Sequence, residues 1–122
     1  EVDAVDNARL APALADHPRV RHHRADGFRY RPRGSVDWLV CDMVEQPHRV
    51  ARLARRWLER GDCRHALFNL KLPMRRRWQT VRDHVGTLAA ALPPAGRVAA
   101  KQLYHDREEV TVFATRAPLG RR

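Results

Sequence analysis

Three short stretches each set one chargeable side chain at the end of an apolar run: Val-Cys-Asp-Met-Val-Glu-Gln-Pro at 40–47, Phe-Asn-Leu-Lys-Leu-Pro-Met at 68–74, and His-Asp-Arg-Glu-Glu-Val-Thr-Val-Phe-Ala at 105–114. The side chains are Asp42, Lys71 and Glu109. A charge at the edge of a buried sheet is costly unless it is paired or used. A lysine between Leu70 and Leu72, next to Pro73, is expected to be partly desolvated, which lowers its pKa toward that of a general base. Asp42 and Glu109 would then orient it. The competing reading is a lysine whose stem lies along apolar surface with its ammonium in water.

Two further carboxylates stand at the ends of apolar-rich segments. Asp6 follows Val2–Val5, and Asp26 opens Asp-Gly-Phe. An acidic residue at a strand's carboxyl end can accept hydrogen bonds from ribose hydroxyls. Asp6 suits a helix N-cap equally well. Arg75, Arg76 and Arg77 begin a helix, where positive charge opposes the macrodipole. Local stability does not ask for them there, so contacts to phosphate at the mouth of the site are the functional reading.

The elements that must position these groups follow from periodicity. Val36–Asp42 and Arg64–Leu72 are continuous apolar strands, a pattern suited to burial on both faces. Pro47 opens a helix with Val50, Leu53, Ala54, Trp57 and Leu58 on one face, closed by Gly61. A second helix over 75–91 carries Trp78, Val81, Val85, Leu88 and Leu92 as its stripe, so both tryptophans read as core, and Met43 and Met74 as packing residues. Val2–Val5 and Arg19–Arg24 read as short strands around a weak helix at 8–15. Val98–Tyr104 and Val110–Thr115 form an antiparallel pair around a turn at His105–Arg107. Strands alternating with helices predict one α/β domain over 1–116, a mostly parallel sheet with an antiparallel C-terminal hairpin, and a basic tail at 117–122.

The chain has 122 residues and a formal net charge of +10. An Arg-rich balance of this size is the electrostatic footprint of nucleic-acid binding, or a set of solvated faces. The start lacks the pattern of a signal peptide, and no apolar run is long enough to cross a membrane. Cys41 and Cys63 form no Cys-x-x-Cys pair and read as buried or incidental thiols of a reducing compartment, the cytoplasm. The seven histidines show no metal-ligand spacing, so no metal is expected. Neither a Gly-x-Gly-x-x-Gly nor a phosphate-binding Walker loop occurs.

The chain resembles the C-terminal catalytic part of the ribosomal RNA large subunit methyltransferase M family, RNA ribose methyltransferases with a Rossmann-like fold. The resemblance is carried by residues 36–47, 67–74 and 102–112, and more weakly by 26–32 and 5–7. It implies transfer of a methyl group from S-adenosylmethionine to a cytidine 2′-OH of large-subunit (23S) ribosomal RNA. Related enzymes use a Lys-Asp-Lys-Glu tetrad. Asp42 matches its Asp, Lys71 its second Lys and Glu109 its Glu, with Glu108 the less favoured neighbour. By the same likeness Asp6 and Asp26 bind the cofactor's ribose and adenine, with Asp42 beside them. The family's first strand, glycine-rich loop and first tetrad Lys precede Asp6 and have no counterpart here, so these 122 residues alone are expected to be inactive. The alternative is a non-catalytic basic RNA-binding module.

Overall fold

The computed structural model describes residues 1–103 and 108–117. The elements run β1 (Val2–Val5), α1 (Pro12–Ala15), β2 (Val20–His23), β3 (Val36–Cys41), α2 (Pro47–Arg60), β4 (Cys63–Lys71), α3 (Arg77–Ala91), β5 (Arg97–Lys101) and β6 (Glu109–Thr115), the order the apolar runs predict. The expected turn at His105–Arg107 and the tail beyond Ala117 lie outside the described residues. The chain divides into two compact units, Glu1–Pro32 and Arg33–Arg122.

In the first unit β1 and β2 pair in parallel, from Val2 against Val20 to Val5 against His23. The connecting helix is shorter than its periodicity suggests, because Pro12 forces Ala11 into an extended conformation (ψ 142°) and the helix begins only there. His22 and His23 lie on opposite faces of β2. His22 Nε2 bonds the Asp6 carbonyl and His23 Nε2 the Asp3 carboxylate, each at 3.0 Å.

The second unit is a four-stranded sheet in the order β3-β4-β6-β5. β3 and β4 are parallel, linked by the α2 crossover, while β6 runs antiparallel to both β4 and β5. The expected mostly parallel sheet is thus mixed in this unit. β6 lies inside the sheet and β5 forms its edge, since the last strand pairs with β4 over seven residue pairs, Lys71↔Glu109 to His65↔Thr115.

The residues predicted for the apolar face of α2, Val50, Leu53, Ala54, Trp57 and Leu58, are all buried. They pack with Ala66, Phe68 and Leu70 of β4 and Val110, Val112 and Ala114 of β6 into the core. Full burial of a Leu or Phe side chain stabilises by roughly 1.5–3 kcal/mol, so this cluster dominates the unit. α3 touches α2 and covers the same face of the sheet. Burial of the strands on both faces, expected from their unbroken apolar runs, is therefore not what forms: Trp38, Val40 and Leu67 on the opposite face remain exposed, Val40 at 69%. Trp78 also departs from its expected core position. α3 is anchored near its C-terminal end by Leu88, its fully buried residue, and Trp78 in its first turn is 73% exposed. Met74, expected to pack, is exposed as well, because it lies in the loop before α3 rather than on an element.

Gly61 ends α2 in the left-handed region at φ 73°, with its N–H on the Leu58 carbonyl and the Asp62 N–H on the Trp57 carbonyl. This double bond pattern needs a left-handed residue after the helix. An added Cβ would lie 2.6 Å from an Arg116 guanidinium nitrogen. Gly61→Ala is accordingly expected to destabilise by about 1–2 kcal/mol, read as a lower urea midpoint at unchanged slope.

Cys41 and Cys63 are free thiols, and of the two alternatives, buried or incidental, the structure shows both buried. Burial pushes the Cys63 thiol up to about 12 and also raises that of Cys41. Among the described residues no helix is long and apolar enough to cross a membrane, and no cluster of three His, Cys, Asp or Glu has metal-binding geometry.

His65 is buried against Thr115, with Nδ1 2.7 Å from the hydroxyl oxygen. The hydroxyl donates to the Ala117 carbonyl, which assigns the imidazole proton to Nδ1 as the donor to Thr115. Burial first, and Arg64 second, hold the His65 pKa below its ordinary value. The unfolded chain therefore binds its proton at higher pH than the folded one. This contribution to stability is fully present above about pH 6.5 and is lost as pH falls below it. The expected result is a urea midpoint that is flat from pH 8 to 7 and drops toward pH 5. His65→Gln should lessen that drop, and His84, whose pKa burial also lowers, contributes in the same direction.

Candidate active site

β3 and β4 run in parallel and end at the same edge of the sheet, and β6, running the opposite way, begins there. Asp42 directly follows β3, Lys71 is the last residue of β4, and Glu109 is the first of β6. Lys71 and Glu109 are direct partners in the antiparallel register, so their side chains leave the same face as close neighbours. The Leu72 N–H bonds the Glu108 carbonyl at 2.7 Å, extending the pairing one step past Lys71 and fixing its backbone on both sides.

One residue pair farther in, on the same face, Asn69 opposes Thr111. The Thr111 hydroxyl donates to Asn69 Oδ1 at 2.7 Å, and Asn69 Nδ2 donates to Asp42 Oδ1 at 3.0 Å. The hydroxyl fixes which way the amide faces, and the amide holds the carboxylate. A relay across three strands thus ties Asp42 to the β4–β6 pair that carries Lys71 and Glu109. Sequence reasoning missed Asn69 and Thr111. The available signal was a polar residue two places before Lys71 in an apolar strand, where the period of two puts it on the lysine's own face.

Lys71 is exposed, so the desolvation expected of it is not supplied by the described residues. Alternation directs Leu70 into the core and Lys71 to the sheet face that no helix of the unit covers. It lines a cleft of about 620 Å³ formed by Val44–Pro47 after β3, Lys71–Met74 after β4, Arg77 and Glu108. Neither Asp42 nor Glu109 is part of that lining.

α3 starts at Arg77 rather than near residue 75, so of the three arginines expected to begin it only Arg77 lies within the helix, and they differ in their roles. Arg77 Nε donates to the Pro73 carbonyl at 2.9 Å, closing the loop that follows β4. Arg76 is the helix N-cap, in the left-handed region at φ 56°, and makes no side-chain capping bond. That conformation costs a residue with a Cβ roughly 1–2 kcal/mol. Arg75 and Arg76 are both exposed.

Asp6 and Asp26 lie in the first unit and are exposed. Each closes a local turn: Asp6 Oδ1 accepts the Ala8 N–H at 2.8 Å, and Asp26 Oδ1 the Phe28 N–H at 2.9 Å, with Arg29 Nε 4.0 Å from its other oxygen. The helix N-cap weighed for Asp6 does not form: α1 begins at Pro12 with Ala11 as its N-cap, and the Asp6 carboxylate closes a turn on Ala8 instead. An ionised carboxylate has about four acceptor positions, so one such bond leaves room for others.

No family model matches the chain. Curated proteins do, and those bearing the name ribosomal RNA large subunit methyltransferase M include that of Alkalilimnicola ehrlichii, 60% identical over 121 residues, which are 99% of this chain and 33% of that protein. That of Edwardsiella ictaluri is 55% identical over 118 residues, 94% of this chain and 32% of the relative. That of Halorhodospira halophila is 56% identical over 115 residues, with 94% and 33% covered. The chain spans about a third of the length of the relatives it matches.

Proposed function

Because this chain belongs to the ribosomal RNA large subunit methyltransferase M family, we propose that it is the C-terminal part of a catalytic domain that methylates a cytidine 2′-OH in large-subunit ribosomal RNA, in the cytoplasm, using S-adenosylmethionine. The fold is then a partial Rossmann-like one, completed by a first strand and glycine-rich loop outside these residues. The observation that supports the reading is that Asp42, Lys71 and Glu109 stand at one sheet edge, Lys71 opposite Glu109 in register and Asp42 bonded to Asn69 of the lysine's strand.

Acceptor capacity supports the cofactor roles of the carboxylates taken one by one: Asp6 and Asp26 in the first unit, and Asp42 in the second, each keep acceptor positions beyond the local bond for hydroxyl or amine donors. When bound, S-adenosylmethionine supplies an electrophilic methyl group. Lys71 accepts or relays the proton of the attacking 2′-OH, while Asp42 and Glu109 orient the lysine and the hydroxyl. Most of the acceleration is positioning. Arg75, Arg76 and Arg77 form the cationic side of the site that meets RNA phosphates.

The test is transfer of isotope-labelled methyl from S-adenosylmethionine to unmodified large-subunit RNA by the full-length protein that carries this stretch. Label at a cytidine 2′-oxygen is expected, and none with the 122 residues alone. RNA binding indifferent to the cofactor, with no label transferred, would point instead to a non-catalytic RNA-binding module.

A further inference from the structure

Proton transfer uses only one wall of the cleft beside Lys71. Val44 and Met74, 90% and 89% exposed, stand on the two loops that form it. Single exposed apolar side chains are ordinary, but two that share a cleft mark a contact surface. Pro47 and Pro73 line the same space and stiffen those loops. Its volume of about 620 Å³ lies in the range of small-ligand sites. Arg75 and Arg76, exposed in the next positions along the chain, add positive charge beside it. An unstacked nucleobase has the complementary form: apolar faces, a polar edge, and phosphates on either side.

The edge can be read by Glu45, which lines the cleft. Its carboxylate is held in place, Oε2 accepting the Gln46 N–H at 3.1 Å and Oε1 pairing with Arg49 one helical turn on. These two bonds leave acceptor positions unused. A fixed carboxylate accepts from the N4 amine of cytosine, whereas uracil presents an oxygen at that place and sets lone pair against lone pair.

We propose that this cleft is the slot for the target base, its faces held between Val44 and Met74, and that Glu45 selects cytosine over uracil. The proposal rests on the RNA-directed reading above and adds the residue that chooses the base.

The experiment measures binding, not turnover. Two single-stranded oligoribonucleotides that differ only in a central cytidine or uridine are titrated against the full-length protein that carries this stretch and its E45Q variant by calorimetry. The wild-type protein should bind the cytidine RNA at least about fivefold more tightly. E45Q, whose amide both donates and accepts, should bind the two alike. A Val44→Ala, Met74→Ala double variant should weaken both RNAs and leave their ratio unchanged. Equal affinities in the wild type, or a cytidine preference that survives E45Q, would overturn the proposal. A preference that vanishes in E45Q supports the slot whether or not the full-length protein transfers methyl groups, so failure of the slot and failure of the reaction are told apart.

Discussion

Lys71→Ala in the full-length protein is expected to lower methyl transfer to ribosomal RNA by about 10²–10⁴-fold, the range that a positioned acid–base group contributes. Affinity for S-adenosylmethionine should be unchanged. The position explains why one side chain should matter so much. Lys71 ends β4 directly opposite Glu109, with its backbone held on one side by Leu70 pairing and on the other by the Leu72–Glu108 bond. It is exposed, so a role in proton transfer requires the arriving RNA to exclude water from it. Desolvation of that kind disfavours the charged form of a lysine and readies it to take a proton. Lys71→Arg separates this role from a grip on phosphate. Arginine keeps the positive charge and donates more hydrogen bonds, but it does not give up its proton in proteins. If Lys71 only held a phosphate, the Arg variant would retain most of the activity. If it handles the proton, the Arg variant should be about as slow as the Ala variant while still binding RNA. Turnover undiminished in Lys71→Ala would remove Lys71 from the mechanism.

Such an edge site is only partly legible in a sequence. The face of α2 could be read residue by residue because five apolar side chains at helical spacing leave one way to bury them. The strand ends could be read too, since Asp42, Lys71 and Glu109 interrupt apolar runs. Which strands pair could not. A short link between β5 and β6 predicts that they are neighbours, yet nothing local says that β6 also pairs with β4, and that second pairing is what sets Glu109 against Lys71. Coverage of a face is equally silent. The runs Trp38–Cys41 and Ala66–Phe68 look doubly buried, but periodicity reports which residues share a face and not whether an element lies over it. Because α2 and α3 lie on the same side, Trp38, Val40 and Leu67 stay exposed. The same gap hid Trp78: its place on the apolar stripe of α3 is real, but the stripe meets the core only near Leu88. Asn69 went unread for a different reason. Inside Ala-Leu-Phe-Asn-Leu it looks like one polar interruption, and its meaning depends on Asp42 and Thr111, 27 and 42 positions away.

That dependence makes Asn69→Ala the second large effect, a loss of about 100-fold in methyl transfer, as follows when reacting groups are held about 1 Å out of place. The amide links the Asp42 carboxylate to the strand of Lys71: it donates to Asp42 and accepts from Thr111. Without it Asp42, which is exposed, turns to water at little cost, and the Thr111 hydroxyl loses its partner. The stability lost should therefore be modest, about 0.5–1.5 kcal/mol for each hydrogen bond, and the folded protein should still bind RNA. A positioning role predicts that kcat falls while KM holds, because the interaction that is lost serves the transition state more than the ground state. Asn69→Asp carries the argument further. It keeps the bond from Thr111 but replaces the donor that faces Asp42 with a second carboxylate, so the two repel and one of them is driven to hold a proton. That variant should be slower than the Ala variant near neutral pH and recover part of its rate as the pH is lowered. A purely structural Asn69 would show neither the kcat-selective loss nor the shifted pH profile, and an Ala variant with wild-type kcat would leave the relay as a feature of the fold alone.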